Sequence, residues 1–244
     1  DKIAALRRAG ATILLVSHDP NAVRDLCAGA LWLENGKVLA RGTADEVLEA
    51  YYASVMEREE ARFAAEHPLA ATAAAGEDRW GSGEVEIVGV DVLGSDGAIR
   101  HVVGSGQAVT VRMRYRARQR VPGPVFGLAI HRNDGLHING PNTQDAGLDI
   151  EWVEGEGEVL YAVDRLALLP GSYEISASCY DRTCTHPYDH HHRRFRFRVH
   201  PAGVRERHGL VYLAGTWRHA AGPAAEDGVS GGAPRPPTES PIAD

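Results

Sequence analysis

The chain has 244 residues, 43% apolar and 24% charged, which leaves room for one or two domains with cores of their own. Its formal charge of −7 argues against nucleic-acid binding driven by net charge, and no run approaches the roughly 18 apolar residues of a membrane span. Cys27, Cys179 and Cys184 are scattered and odd in number, the pattern of free thiols in a reducing compartment.

Residues 2–9 read as the end of an amphipathic helix closed by Gly10. Residues 11–17 contain consecutive apolar residues (Ile13-Leu-Leu-Val16) and predict a strand buried on both faces, with His18 at its C-terminal end. Asp19-Pro20 opens a short helix to about Cys27, with proline in the first turn. Ala30–Glu34, Asn35-Gly36 and Lys37–Arg41 form a hairpin around a type I′ turn. Thr43 and Glu46 have capping-box spacing ahead of a helix from about Ala44 to Val55.

Residues 56–79 are rich in Ala, Glu and Arg and read as a helical extension followed by a linker. From Gly83 onward short strands and turns recur at regular spacing, the pattern of an all-β sandwich. The predicted strands are 84–93, 107–117, 124–132, 136–140, 157–164, 172–181, 193–200 and 209–217. Residues 220–244 hold almost no large apolar groups and read as a disordered tail.

Within 109–116, Val109, Val111, Met113 and Tyr115 share one strand face, and Thr110, Arg112, Arg114 and Arg116 the other. Within 194–200, Phe195, Phe197 and Val199 alternate with Arg194, Arg196, Arg198 and His200. Each strand therefore has a core face and a basic outer face. The basic faces are either solvated surface that discourages edge pairing or a binding face for a polar or acidic glycan, through arginine forks. Glu174 and Tyr180 fall on the strand beside 193–200, where Glu174 neutralises part of the charge. Trp152, in the polar run from Asp149, is a candidate sugar platform, although packing is the commoner use of tryptophan, as at Trp32, Trp80 and Trp217. The run His186-Pro-Tyr-Asp-His-His-His192 reads as a polar hairpin loop rather than a zinc site, because no spaced ligand pair frames it. Glu151, Glu154, Glu156 and Glu158 lie in one glycine-interrupted stretch and read as a solvated turn, not a glycosidase pair.

The ordered series Ser17-His18-Asp19, the hairpin Leu31-Trp-Leu-Glu-Asn-Gly36 and Arg41-Gly42-Thr43 resembles the end of an ABC-transporter ATPase domain over about 55 residues. That resemblance implies that His18 is a switch histidine contacting the γ-phosphate of ATP in the intact protein, with Mg2+ as the accompanying ion. The family's phosphate-binding Gly-x-x-x-x-Gly-Lys-Ser/Thr loop and its Asp-Glu strand are absent from these residues, so the chain reads as the C-terminal part of a larger subunit, without ATP hydrolysis of its own. Arg79-Trp-Gly-Ser-Gly-Glu84, Gly127, Asn142-Thr143, Leu169-Pro-Gly-Ser-Tyr173 and Gly209–Trp217 stand in an order that looks like the C-terminal domain of Wzt-type exporter subunits.

The expectation is thus an α/β remnant, the end of an ABC ATPase domain (1–55), then a connector (56–79), an immunoglobulin-like glycan-binding sandwich (80–218) and a tail (219–244). The resemblance implies a cytoplasmic subunit on the inner face of the membrane. It also implies a membrane permease and a lipid-linked polysaccharide as partners, and a homodimer formed through 209–217. The other reading is a sandwich that serves only dimerisation and assembly.

Overall fold

The computed structural model describes residues 9–66, 78–206 and 208–219. Residues up to Tyr212 belong to one compact unit and residues from Leu213 to another. In the second, Leu213 and Trp217 are exposed and no strand forms among the described residues.

Helix α1 (Pro20–Leu26) begins where expected, because the Asp19 side chain accepts from the Asn21 amide and Pro20 occupies the first turn. Strands β1 (Gly29–Glu34) and β2 (Lys37–Thr43) form a two-stranded sheet of their own, turning at Asn35 (φ 49°) and Gly36 (φ 74°). Both central residues have the positive φ of a type I′ turn. The capping box is present: the Thr43 amide donates to Glu46 (2.9 Å) and the Glu46 amide to the Thr43 hydroxyl (3.3 Å). Helix α2 then runs without a break from Ala44 to Glu66, so the helical extension expected after Val55 continues the same helix. The expected helix over 2–9 falls almost wholly outside the described residues, as do the linker at 67–77 and the tail from 220.

The strand predicted at 11–17 does not form. Leu14 and Val16 are each 91% exposed, and no described strand runs beside the segment. A parallel strand is stable only with neighbours on its edges and layers on its faces.

The sandwich comprises β3 (Arg79–Trp80), β4 (Val85–Leu93), β5 (Val102–Gly104), β6 (Val109–Pro122), β7 (Val125–Arg132), β8 (His137–Asn139), β9 (Trp152–Val163), β10 (Gly171–Tyr180) and β11 (Pro187–His200). One sheet is three-stranded, ordered β4-β6-β9; the other is six-stranded, ordered β3-β11-β10-β7-β8, with β5 parallel to β11. Val85, Ile87, Val111 and Met113 from the first meet Phe126, Leu128, Ile175 and Phe197 from the second in one buried cluster.

Three further expectations are corrected. The histidine run is not a loop: β11 starts at Pro187, and a bulge opposite Ser176, with Arg193 at φ 51°, takes up the residues that spoil the alternation. In the glutamate-rich stretch Glu154 and Glu156 lie not in a turn but, with Glu158 of the expected 157–164 strand, on β9, paired along β6. The last predicted strand, 209–217, is reduced to an isolated bridge between Val211 and Leu168, flanked by the Leu169 amide donating to the Leu210 carbonyl and the Tyr212 amide to that of Ala167.

Candidate functional site

The outer face of the six-stranded sheet gathers the polar and aromatic groups best suited to a ligand. On β10, Tyr173, Ile175, Ala177 and Cys179 point into the core, so Glu174, Ser176, Ser178 and Tyr180 point out. On β7, Phe126, Leu128 and Ile130 are buried in the core, and Gly127, Ala129 and His131 share the opposite face. Register then sets rows across the strands. Trp80, His190, Ser178, Gly127 and Asn142 form one row; Arg196, Glu174, His131 and His137 form another.

The first row is large at one end and small in the middle. Trp80, 45% exposed, stacks on His190 with ring centroids 4.1 Å apart and planes 11° from parallel. The Tyr180 hydroxyl lies 3.2 Å from His190 Nδ1. Beyond them Ser178 and Gly127 leave a shallow floor; a Cβ on Gly127 would come within 3.0 Å of the Ser178 hydroxyl. At the far side Asn142 donates to Asp145 (2.7 Å) and accepts from its amide (2.8 Å). An aromatic platform beside hydroxyl and amide groups over a small-residue floor can hold a sugar ring, whose C–H face packs on an aromatic while its hydroxyls exchange hydrogen bonds.

The support beneath the platform is a buried carboxylate. Asp189 accepts from Arg79 Nε (2.9 Å) and Nη2 (2.8 Å) and from the Ile87 amide (2.7 Å), and lies 3.1 Å from His191 Nε2. Burial pushes its pKa up, but the bonds from His191, Arg79 and Ile87 outweigh it and hold the carboxyl below its ordinary range. Gly81 brings the chain after Trp80 against β11: at φ 144°, a Cβ there would strike the Tyr188 carbonyl oxygen at 2.3 Å. The Ser82 and Gly83 amides then donate to the Pro187 and Tyr188 carbonyls. The glycines thus serve close strand approach.

His190 and His131 favour the neutral state. Burial, followed by the His192 and His191 charges, lowers the pKa of His190; burial, followed by His137 and His192, lowers that of His131. Nδ1 of His131 is buried without a hydrogen-bond partner, so a proton there has no acceptor. Two cations share one carboxylate here: Arg193 donates to Glu174 at 2.6 Å and Arg196 lies 3.5 Å from the same group.

The residues singled out from sequence do not converge. Arg112, Arg114 and Arg116 belong to the three-stranded sheet, Arg194, Arg196 and Arg198 to the six-stranded one. Arg112 (2.8 Å) and Arg114 (3.3 Å) share the buried Asp91, Arg116 pairs with Glu156, and Arg198 reaches Glu59 of α2. Trp152 is on β9, under the Arg120 guanidinium at 3.8 Å, on the sheet opposite the candidate face. Tyr180 is on that face. Ser178, which strand alternation places beside Tyr180, is on it too. Trp80 had been assigned to packing, and His190 and Asn142 were missed, although the alternation of His190 and His192 around buried His191 was available as a strand signal. His18 is exposed, and no glycine-rich loop meets it, so the described residues do not assemble a nucleotide site. Trp32 packs edge-on against Tyr51, as structural reading expects, and all three cysteines are free. Among the described residues no helix is long and apolar enough to cross a membrane.

Comparison with known proteins agrees with this architecture. The O-antigen export system ATP-binding protein RfbB of Myxococcus xanthus is 27% identical over 184 residues, 72% of this chain and 42% of that protein. The teichoic acids export ATP-binding protein TagH of Listeria monocytogenes serotype 4b is 39% identical over 51 residues, 21% of this chain and 15% of that one. The chain thus spans less than half the length of these relatives. The crystal structure of the C-terminal domain of wzt superposes with a TM-score of 0.54 at 18% identity, over 61% of this chain and 92% of that one, a likeness of fold. The family model for the Wzt C-terminal domain matches residues 76–213, and the chain belongs to that family.

Proposed function

We propose that this chain is the C-terminal part of the ATP-binding subunit of a polysaccharide exporter of the O-antigen type, and that its sandwich holds the exported glycan on the outer face of the six-stranded sheet. Family membership and the name of the Myxococcus relative support the first half. The row Trp80–His190–Ser178–Gly127–Asn142, with Tyr180 beside it, carries the second. On this reading Trp80 and Tyr180 supply apolar platforms, while Ser178, Asn142 and His190 exchange hydrogen bonds with sugar hydroxyls. Glu174, with two arginines on it, offsets part of the positive charge of this face. In the intact subunit His18 contacts the γ-phosphate of ATP, and Mg2+ and the phosphate cradle belong to other parts of the ATPase domain. The partners on this reading are a membrane permease and a lipid-linked polysaccharide at the cytoplasmic face, and the subunit works as a homodimer.

The test is titration of the chain with the polysaccharide of its own host, followed by amide and indole NMR shifts and by calorimetry. Shifts clustered on Trp80, Ser178, Tyr180 and His190, with affinity lost in Trp80→Ala, are the expected result. Binding that survives Trp80→Ala but disappears in Arg112→Ala and Arg114→Ala moves the site to the other sheet. No binding to any native glycan leaves the sandwich as an assembly module.

A further inference from the structure

Helix α2 is buried at two places along its length, against two different parts of the molecule. Near its start Ala44, Val47 and Leu48 are buried, Tyr51 meets Trp32 of β1, and Arg58 reaches Glu34 of the hairpin at 2.6 Å. Near its end Phe63, only 5% exposed, stacks on His101 with ring centroids 5.2 Å apart, and the Arg198 guanidinium lies 5.7 Å from the same ring. At 1.5 Å per residue a helix of 23 residues is a rod of about 34 Å.

The second contact is built from specific polar bonds. The Glu60 carboxylate accepts from the backbone amides of His101 (2.7 Å) and Val102 (2.7 Å) and lies 2.6 Å from His101 Nδ1. Neighbouring Glu59 pairs with Arg198 at 2.5 Å. The same short stretch is held from its other side, where the Arg198 amide donates to the His101 carbonyl and Val102 pairs in parallel with Arg198. One carboxylate therefore satisfies the amide of the first residue of β5 and that of the residue before it, and the Phe63 ring stacks on the His101 imidazole beside them. Charge-assisted bonds to partly buried amides are among the stronger local contacts a protein makes. A helix merely passing the sandwich has no reason to bury its only phenylalanine there.

We propose that the end of α2 and the start of β5 form an intramolecular docking joint, centred on Glu60 and Phe63, that makes the helix and the sandwich a single moving part. The β1–β2 hairpin, gripped by the first half of the same helix, is then mechanically tied to the sandwich. Strand β11 carries the joint through Arg198 and the aromatic stack through His190, so both lie on one continuous strand. The joint does not depend on the glycan reading and stands or falls separately from it.

The experiment is amide hydrogen exchange and 15N relaxation on the whole chain, with Glu60→Ala, Glu60→Gln and Phe63→Ala variants. In the parent chain the α2 amides relax with the same rotational correlation time as those of β10, and His101 and Val102 exchange slowly. Glu60→Ala accelerates exchange at those two amides by at least about tenfold, Glu60→Gln by less, and leaves Ile175 and Ala177 unchanged. Equal exchange at His101 and Val102 in the parent and Glu60→Ala, or α2 tumbling independently of the sandwich in the parent, overturns the joint. The parent measurement holds even where Phe63→Ala fails to fold. Protection of the two amides that vanishes on dilution also overturns it, since the helix would then be docked on a second copy.

Discussion

The two outer faces of the sandwich use charge in opposite ways. On the three-stranded sheet, Arg112, Arg114, Arg116, Arg118 and Arg120 stand along β6, and each reaches a carboxylate: Asp91 for the first two, then Glu156, Glu86 and Glu154. On the six-stranded sheet the middle of the face is neutral and small, with an aromatic stack at one end. A run of arginines in sequence therefore marks a solvated, internally paired surface, whereas the row that runs from the Trp80–His190 stack to Asn142 marks the groups offered to a ligand. Pairing across strands, not residue type, separates the two.

The largest effects should come from the buried carboxylate beneath each face. Asp189→Ala removes the carboxylate that the Arg79 guanidinium, the buried His191 ring and the Ile87 amide share, so a loss of about 3–5 kcal/mol is expected. Asp91→Ala should cost less, about 2–3 kcal/mol, because Arg114, with 47% of its side chain exposed, can turn to water. Chemical denaturation of both variants checks the order. Asp189 also predicts an acid limit. Its folded pKa lies below the unfolded 3.8, so its contribution is complete above that value and is lost as pH falls through the depressed one. Removing Asp189 should therefore flatten the stability profile below about pH 4.

Much of the architecture was legible because the signals were local. The Asn35-Gly36 turn, the Thr43/Glu46 cap, the Asp19 N-cap and the alternation of Val109, Val111 and Met113 all need only their near neighbours. The failures share the opposite cause. The segment 11–17 has the composition of a central strand, but a strand's stability lies in neighbours that the described residues do not provide. The histidine run looked like a loop because its strand character rests on Asp189, which is satisfied by Arg79, 110 residues earlier in the chain. The candidate face was only partly legible: Tyr180 was found, but the row that gives it meaning depends on a bulge at Arg193 that resets which histidines face out.

Trp80→Ala offers the next effect in size. Truncating the exposed aromatic platform of a binding face should lower glycan affinity by at least about tenfold. Arg114→Ala on the other sheet should change it by less than about twofold, so calorimetry on the pair separates the faces directly. The histidines should add a smaller, pH-dependent change. His190 and His131 are held below the ordinary 6.5, so the unfolded chain takes up protons first as pH falls. Stability then declines through the window between 6.5 and their lower folded values, and is unaffected by these groups above it. Glycan affinity should be flat above about pH 7 and shift only once the face becomes cationic; histidine Cε1 titration by NMR gives the matching curve.

The smallest effect probes the arginine-rich face alone. Arg116 and Glu156 are 3.1 Å apart, but their side chains are 51% and 75% exposed. Water already solvates both, and fixing two long side chains costs entropy, so such a pair contributes roughly 0–0.5 kcal/mol. Glu156→Ala should therefore leave the denaturation midpoint almost unmoved, and raising the salt concentration should erase what remains. A loss above about 1 kcal/mol would mean that the ladder acts as a cooperative network. Asp91 would then be one member of it rather than its single buried anchor, and the contrast between the two faces would narrow to the presence of the aromatic stack.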